Sequence, residues 1–346
     1  MTDTHLIEAG ASVRDALRAI NALSGGAMTL FVADSYRRML GSVTDGDIRR
    51  ALIAGASLDS PVTEVMHRGF HALRDGDDPF TSIAAARRLG IDLLPVVDTE
   101  GVITRIIDLR AVKSALPLDA VLMAGGRGER LRPLTLDTPK PLLKVGGKAI
   151  IDYNVEELAA CGVEKVFVIV NYLKQQIVDH FLAREGEPRV VCVPENERLG
   201  TFGGLSLLPA PTHDNILVMN SDLLTTLDFE AMYLHHLRTG ADLTVAAVPY
   251  TVSVPFAIMH TEGERVTALT EKPTYNYFAN GGVYIMRSAL LSRIKPATYT
   301  DAPDFISALI ADGGNVSFFP VNGTWIDIGS PDDYRHADEL MSRPGI

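Results

Sequence analysis

The sequence predicts an α/β protein in which a doubly wound, mostly parallel sheet follows a smaller α+β module. Two observations predict this arrangement. From residue 118 onward, apolar runs of strand length alternate with amphipathic stretches of helix length, as in a parallel sheet covered by helices. Before that point, one pattern of helix and strands occurs twice. The 346-residue chain is long enough for two domains, which we predict at 1–115 and 118–346.

The composition favours a globular protein and argues against several functional classes. Hydrophobic residues make up 47% and charged residues 22%, as in folded chains with full cores. Acidic residues outnumber basic ones by 43 to 32, so we expect no nucleic-acid binding. No apolar run approaches the ~20 residues of a membrane span, and the N-terminus lacks a secretory signal. Two cysteines, Cys161 and Cys192, are too few for a disulfide framework, which fits a cytoplasmic protein.

The internal repeat covers the first 115 residues. The apolar run at 30–34 recurs 64 positions later at 94–98, and each copy ends in aspartate. A second strand is predicted after each, at 40–44 and 102–107. Each copy is therefore expected to have the order helix, strand, strand, helix.

Capping signals predict the first helix of each copy. Ser12 and Asp15 have the spacing of a capping box, and Gly25-Gly26 ends the apolar pattern that follows. In the second copy, Asp78-Pro79 combines an N-cap residue with a first-turn proline, and Gly90 ends that helix.

The first copy contains the sequence Gly41-Ser42-Val43-Thr44-Asp45-Gly46-Asp47. Glycine lets the backbone approach a ligand, a hydroxyl can bind phosphate, and a carboxylate can accept from ribose hydroxyls. The duplication and this G-x-x-T-x-x-D motif resemble a tandem pair of CBS domains, which implies that Thr44 and Asp47 bind an adenine nucleotide. The second copy has arginine, aspartate and alanine at the three equivalent positions, so at most one such site is expected. A purely structural pair that dimerises the chain is the alternative.

The C-terminal part has five predicted strands and three predicted helices. The strands are expected at 120–124, 166–171, 190–193, 216–220 and 243–248, and the helices at 152–161, 174–183 and 229–239. In such sheets, ligands bind beyond the carboxyl ends of the strands. We therefore expect the chemistry after Ala124 and after Asn220.

A glycine-rich, basic loop follows the first of these strands. Its backbone N–H groups can approach phosphate oxygens, and Arg130 and Lys140 can neutralise them. The loop is not a P-loop, because no Gly-Lys-Ser/Thr follows, and Leu131 replaces the third glycine of a dinucleotide fingerprint. The residues expected to contact the nucleotide here are Ala124, Gly125, Gly126 and Gly128.

Five motifs in order resemble those of the sugar-1-phosphate nucleotidylyltransferases, over roughly residues 118–340. The motifs are A-G-G-x-G-x-R-L-x-P-L-T with a following P-K-P, Asn220-Ser221-Asp222, Glu271-Lys272-Pro273, Asn280-Gly281-Gly282-Val283-Tyr284 and Trp325-Ile326-Asp327-Ile328-Gly329. The resemblance implies a Rossmann-like fold and an enzyme that transfers a nucleoside monophosphate from a nucleoside triphosphate to a sugar 1-phosphate, releasing pyrophosphate.

The resemblance also implies residue roles. Asp222 and Asp327 would hold Mg²⁺, a cation that prefers carboxylates together with substrate phosphates. Arg130 and Lys140 would neutralise the triphosphate, and Lys272 would direct the attacking sugar phosphate. Because that phosphate is already an anion, catalysis needs positioning and charge neutralisation. The sugar-binding residues implied are Glu271, Asn280 and Gly282.

The stretch at 194–205 is predicted to select the base. Its L-G-T-x-G-G-L sequence resembles mannose- and heptose-phosphate guanylyltransferases, which implies contacts from Gly200 and Thr201. A carboxylate, Glu195 or Glu197, can accept from N1–H and N2–H₂ of guanine together, whereas uracil and thymine offer no such donor pair. GTP is therefore favoured, with other bases and sugars as alternatives, and a non-catalytic regulator that binds a sugar nucleotide as a third.

The domain order gives one further expectation. A CBS pair followed by a short transferase resembles bacterial glucosamine-1-phosphate guanylyltransferase-like enzymes of legionaminic acid pathways. This implies glucosamine 1-phosphate as the sugar substrate. Because CBS pairs usually associate through a shared face, a homodimer or homotetramer is expected.

Overall fold

The structure is a computed structural model that describes residues 3–23, 26–184, 186 and 188–343. Contacts divide the chain into two compact units, Met1–Ala115 and Leu116–Ile346. Within the described ranges, no helix is both long enough and apolar enough to span a bilayer. The predicted helix end at Gly25 lies outside the described residues.

The first unit contains two small sheets and three helices in its described part. In chain order the elements are β1 (Leu6–Glu8), α1 (Val13–Ala22), β2 (Thr29–Ala33), β3 (Met39–Thr44), α2 (Asp45–Ile53), β4 (Leu73–Arg74), α3 (Pro79–Arg88), β5 (Leu93–Val97) and β6 (Ile103–Asp108). The sheets have the orders β1-β2-β3 and β4-β5-β6, and in each the first pair is parallel and the second antiparallel. Sequence analysis missed β1 and β4, since strands this short show no alternation.

The internal repeat is visible in the strand registers. The β2–β3 register shifts between Val32 and Ala33, and the β5–β6 register shifts at the equivalent place, between Val96 and Val97. Buried residues of β2, β3, β5 and β6 form one hydrophobic cluster, so the two copies share a core.

The two copies differ after their last strand. Thr44 is the N-cap of α2 and forms a capping box with Asp47. The expected helix after β6 was a wrong prediction, because the described residues 109–115 are turn and irregular chain. An alanine replaces the capping carboxylate there, and Asp108 pairs with Arg110 instead.

The second unit has seven strands in its central sheet. In chain order the elements are β7 (Asp119–Ala124), β8 (Lys144–Val145), β9 (Lys148–Ala149), α4 (Ile150–Ala160), β10 (Lys165–Val170), α5 (Lys174–Leu182), β11 (Arg189–Pro194), α6 (Gly200–Gly203), β12 (Asn215–Asn220), β13 (Leu223–Thr225), α7 (Phe229–Thr239), β14 (Leu243–Ser253), β15 (Ile258–Glu262), β16 (Arg265–Thr270), β17 (Thr274–Arg287), α8 (Ala302–Ala311), β18 (Val316–Pro320), β19 (Trp325–Asp327) and α9 (Pro331–Met341). The sheet order is β11-β10-β7-β12-β17-β14-β18.

The sheet is mostly parallel, which confirms the predicted fold class. Only β17 runs against its neighbours, β12 and β14. The strand predicted at 243–248 continues to Ser253, because β14 and β17 extend as a two-stranded ribbon past the end of β18. The ribbon is largely exposed, so its sequence has no buried face from which it could be predicted.

The main core of this unit lies between the sheet and the segments around α6 and α8. Phe202 of α6 is fully buried, its ring edge-on to Tyr284 of β17 with centroids 5.0 Å apart, and it also contacts Phe305 of α8. Burying an aromatic side chain of this size contributes roughly 1.5–3 kcal/mol. This packing fixes the predicted base-selecting stretch to the sheet.

Candidate functional site

The site begins where two adjacent parallel strands end. Met123 of β7 lies opposite Asn220 of β12 in the register, so the segments after both strands start side by side. The Ser221 hydroxyl donates to the Met123 carbonyl over 2.8 Å and ties these segments together.

A cavity of about 220 Å³ opens at this edge. Its lining combines the glycine loop, the predicted base-selecting stretch and the aspartate after β12, which lie apart in the sequence. The lining residues that the sequence predicted are Gly125, Gly126, Glu195, Gly200, Thr201 and Asp222. The functional candidates that sequence reasoning missed are Arg198, Asn220 and Asp301.

Lys140 connects the two aspartates that were predicted to bind metal. Its side chain is only 11% exposed; its ammonium forms an ion pair with Asp222 and lies 3.8 Å from a carboxylate oxygen of Asp327. The aspartates are neighbours because Leu223 pairs with Asp327 in the β13–β19 ladder. Burial and the Asp222 charge raise the pKa of Asp327, while Lys140 and Arg130 act in the opposite direction.

Arg130 lies near the segment that carries this carboxylate. It follows the glycine loop in a short 3₁₀ turn, and its guanidinium packs against Gly329, two residues after Asp327. The loop itself is fixed by the Thr135 hydroxyl, which donates to the Gly128 carbonyl over 2.8 Å. Ala124 is buried at the end of β7.

The two aspartates are suitable ligands for a divalent metal ion. Asp222 Oδ1 is buried and has no hydrogen-bond partner in the described part of the chain. Carboxylate oxygens are the donors that Mg²⁺ prefers. Among the described residues, no group of three or more His, Cys, Asp or Glu is arranged to hold a metal. Substrate oxygens or water would therefore have to complete the coordination.

Glu195 is a buried acid facing the cavity, with 4% exposure. Burial raises the pKa of its carboxyl to about 7, against the opposing effects of Arg198 and the Leu199 backbone N–H. Its Oε1 has no hydrogen-bond partner within the described ranges, and it approaches Gly204 so closely that no larger residue fits at that position. Of the two acids proposed from the sequence, Glu197 is exposed and does not line the cavity.

The segment before α8 holds α6 in place. Asp301 Oδ1 accepts from the backbone N–H and the hydroxyl of Thr201, each over 3.1 Å, and the Thr300 carbonyl accepts from two backbone N–H groups of α6. Gly200 has a positive φ of 79°, and a Cβ there would lie 2.7 Å from the Thr300 carbonyl oxygen. Sequence analysis did not identify Asp301, because its contact is with a residue 100 positions earlier in the chain.

The nucleotidyl transferase family matches residues 119–343, the whole central sheet and its C-terminal elements. This chain belongs to that family.

Two mannose-1-phosphate guanyltransferases are similar in sequence to the nucleotidyl transferase unit. The mannose-1-phosphate guanyltransferase of Schizosaccharomyces pombe is 34% identical over 230 residues, 63% of this chain and 62% of that protein. The catalytic subunit beta of the Danio rerio mannose-1-phosphate guanylyltransferase is 31% identical over 226 residues, with 63% and 62% covered. This chain therefore spans a little under two thirds of their length.

One solved structure with a nucleotide is also similar. HddC from Yersinia pseudotuberculosis, complexed with GMP-PN, aligns with a TM-score of 0.50 and 25% identity over 64% of this chain and 99% of that chain.

The N-x-G-x-Y strand of the nucleotidyl transferase unit reaches the site. Gly282 lies against the side chain of Asn220, and its N–H donates to Asn280 Oδ1 over 3.0 Å. The Trp325 indole N–H donates to the Gly281 carbonyl over 2.9 Å, which joins this strand to the one that carries Asp327.

The E-K-P turn is not brought to the cavity. Glu271 and Lys272 are exposed between β16 and β17 on the ribbon. Neither side chain makes an ion pair with a described residue of the cavity. The order of the motifs along the sequence assigns Glu271 and Lys272 to the second unit, but it does not predict how far they lie from Asp222.

A second cavity, of about 530 Å³, lies in the first unit and is lined in part by Ser42 and Thr44. Asp47 does not line it. The Asp47 carboxylate accepts from Thr44 N and Oγ1 over 2.8 and 2.7 Å and pairs with Arg50. Burial acts to raise the pKa of Asp47, but these interactions hold it below its usual value.

Proposed function

We propose that the protein transfers GMP from GTP to a sugar 1-phosphate and releases pyrophosphate. The observation that carries the proposal is the single cavity lined by Gly125 and Gly126, by Glu195 and by Asp222. These groups suit a phosphate chain, a base with paired donors and a divalent cation, respectively. The names of the relatives and the GMP-PN complex of HddC support the same reaction.

Base selection is assigned to Glu195. Its position in the cavity, with Oε2 beside Gly125, suits acceptance from guanine N1–H and N2–H₂. Leaving those donors or this acceptor unpaired in a buried site would cost roughly 1–3 kcal/mol, so a pyrimidine base is disfavoured. Gly200 and Thr201 shape the same wall.

Phosphate binding is assigned to the glycine loop, Arg130 and Lys140. Backbone N–H groups at Gly125, Gly126 and Gly128 would donate to phosphate oxygens. Bringing two phosphate groups together is opposed by their charges, so the two cations lower the barrier by neutralisation and alignment rather than by proton transfer.

Asp222 and Asp327 would hold Mg²⁺. When bound, the metal would supply further charge neutralisation between the α-phosphate and the attacking phosphate. Lys140, which forms an ion pair with Asp222, would then be available to the triphosphate.

Mannose 1-phosphate is the sugar substrate that the relatives' names favour, and glucosamine 1-phosphate is the alternative favoured by the domain order. We assign Lys272 to the attacking phosphate, and Glu271, Asn280 and Gly282 to the sugar. This assignment requires the exposed ribbon to approach the cavity when the sugar binds.

For the first unit, we propose an adenine-nucleotide site in the 530 Å³ cavity, with Thr44 at its wall and Asp47 fixing Thr44. A homodimer or homotetramer formed through this unit is part of the same proposal.

The test is pyrophosphate release with Mg²⁺, crossing GTP, ATP, UTP, CTP and dTTP with mannose-, glucosamine- and glucose-1-phosphate. Release from GTP with one sugar, abolished by EDTA and restored by Mg²⁺, is expected. Release from another nucleotide would overturn the base assignment but keep the reaction. Tight GTP binding without release from any pair would favour a non-catalytic regulator.

A further inference from the structure

Arg198 faces the same cavity as Glu195, three residues further along the chain. Its side chain is exposed, and no hydrogen bond or ion pair joins it to another residue in the described ranges. Arg198, Glu195 and Asp301 line the same cavity; the Arg198 charge opposes the rise in the pKa of Glu195 and contributes to the lowered pKa of Asp301.

Neither carboxylate fixes the guanidinium. Asp301 Oδ1 accepts from Thr201, and its Oδ2 accepts from the Tyr299 hydroxyl over 2.7 Å. Glu195 Oε1 is buried against Gly204, and among the described residues no hydrogen bond or ion pair joins Glu195 to Arg198. An arginine that is attracted to this wall but bonded to neither acid keeps its planar set of donors for a ligand.

We propose that Arg198 is a second base-selecting residue, which donates to O6 and N7 of guanine while Glu195 accepts from N1–H and N2–H₂. The inference rests on the proposed use of GTP. Guanine presents two adjacent acceptors, O6 and N7, and a guanidinium matches them with two parallel N–H groups. Adenine presents N7 beside an N6–H₂ donor, which would oppose an arginine donor. The two side chains together therefore separate guanine from every other base.

A phosphate contact is the competing role for a cavity arginine. The cations predicted for the phosphates, Arg130 and Lys140, lie beside Asp327 and Asp222. Arg198 instead belongs to the stretch that carries Glu195 and Thr201. The experiment must therefore separate a base contact from a phosphate contact.

The experiment compares GTP with two analogues by calorimetry in the presence of Mg²⁺. The analogue 7-deaza-GTP lacks the N7 acceptor, and ITP lacks the N2 amine. Wild type is expected to bind GTP roughly tenfold more tightly than either analogue, the size of one hydrogen bond to a charged group. In Arg198→Met, GTP and 7-deaza-GTP should bind equally, while the preference for GTP over ITP persists through Glu195.

Two further variants sharpen the result. Arg198→Lys keeps the charge but not the planar donor pair, so it should bind GTP more weakly than the wild type does. Arg189→Met, at an exposed arginine outside the cavity, should behave as wild type. Equal weakening of GTP and 7-deaza-GTP binding in Arg198→Met would overturn the inference.

The result also separates this inference from the proposed function. A wild-type protein that binds GTP selectively but does not distinguish 7-deaza-GTP overturns the role of Arg198 alone. A protein that binds GTP no better than UTP or ATP overturns the guanylyl assignment and this inference together.

Discussion

Lys140 and Asp222 form an ion pair although they lie 82 positions apart in the chain. Asp222 lines the cavity, and Asp327 lies 3.8 Å from the same ammonium. Lys140 and Arg130 both act on Asp327, so the two carboxylates share two cationic side chains. Any metal ion bound by these carboxylates must therefore compete with Lys140.

Replacing Lys140 by methionine should tighten divalent-metal binding in the absence of nucleotide. We expect Mn²⁺ to bind at least about tenfold more tightly, equivalent to about 1.4 kcal/mol, because the competing charge is gone. Electron paramagnetic resonance measures Mn²⁺ binding. The fluorescence of Trp325, the single tryptophan of the sequence, gives a second measurement near Asp327.

The same variant should bind GTP more weakly and lose turnover, because its phosphate cation is missing. Lys144→Met, at an exposed lysine nearby in the sequence, is the matched control and should change neither quantity. Unchanged Mn²⁺ affinity in Lys140→Met would mean that Asp222 and Asp327 do not form the metal site.

Asp222→Asn should reduce turnover by at least ~100-fold while the protein stays folded. The amide has the same shape, and Asp327 remains as a partner for Lys140, so the melting temperature should change by only a few degrees. Asp214→Asn, at an exposed aspartate before β12, is the control. An active Asp222→Asn enzyme would refute the metal assignment.

The sequence was sufficient where residue types alone decide the outcome. Alternating apolar runs predicted the parallel sheet, and the rule that ligands bind at strand carboxyl ends predicted the position of Gly125 and Asp222. The capping box at Ser12 and Asp15 is present in the structure. In each case the interaction is local or follows from the fold class.

Long-range packing could not be predicted in the same way. Asp301 contacts Thr201 because α8 and α6 pack on the same sheet, and no spacing rule connects them. The choice between Glu195 and Glu197 depended on which side chain is buried. The exposed position of Lys272 could not be predicted either, because it depends on the length of the β14–β17 ribbon. The sequence of that ribbon has no alternation between buried and exposed residues from which its length could be predicted.

Asp301→Ala should raise the KM for the nucleotide by about tenfold with a smaller effect on kcat. The substitution removes two hydrogen bonds that hold Thr201, each contributing roughly 1 kcal/mol to the placement of α6. Steady-state kinetics at saturating sugar phosphate measures both constants. Asp304→Ala, exposed on the same helix, is expected to match wild type. An Asp301→Ala enzyme with unchanged KM would show that Phe202 and the Thr300 carbonyl hold α6 without Asp301.

Glu195→Gln should stabilise the protein above neutral pH. The folded pKa of about 7 exceeds the ordinary value of 4.5, so the native state binds this proton more tightly than the unfolded state does. The free energy of unfolding of the wild type therefore falls as pH rises from 4.5 to about 7 and is then constant. A glutamine avoids this loss, which we expect to be about 1–2 kcal/mol after solvent screening.

Denaturant unfolding at pH 4.5 and pH 8 measures this difference. The variant and wild type should be similar at pH 4.5, and the variant should be more stable at pH 8. The same ionisation predicts that wild-type GTP affinity rises between pH 6 and 8, while that of the variant stays low and flat. If the variant and the wild type have equal free energies of unfolding at pH 4.5 and again at pH 8, the Glu195 carboxyl is solvated rather than buried.

Asp47→Ala should lower stability and weaken AMP binding to the first unit. Asp47 closes the capping box of α2, and losing such a cap costs about 1 kcal/mol. Because Asp47 also fixes the Thr44 hydroxyl at the cavity wall, calorimetry should show AMP binding reduced by about tenfold or more. Asp15→Ala is a closely matched control, since it breaks the same kind of capping box in α1, away from the cavity. If both variants lose stability equally and both keep AMP affinity, Asp47 serves only the helix. If the wild type binds no AMP, the nucleotide proposal for this unit fails.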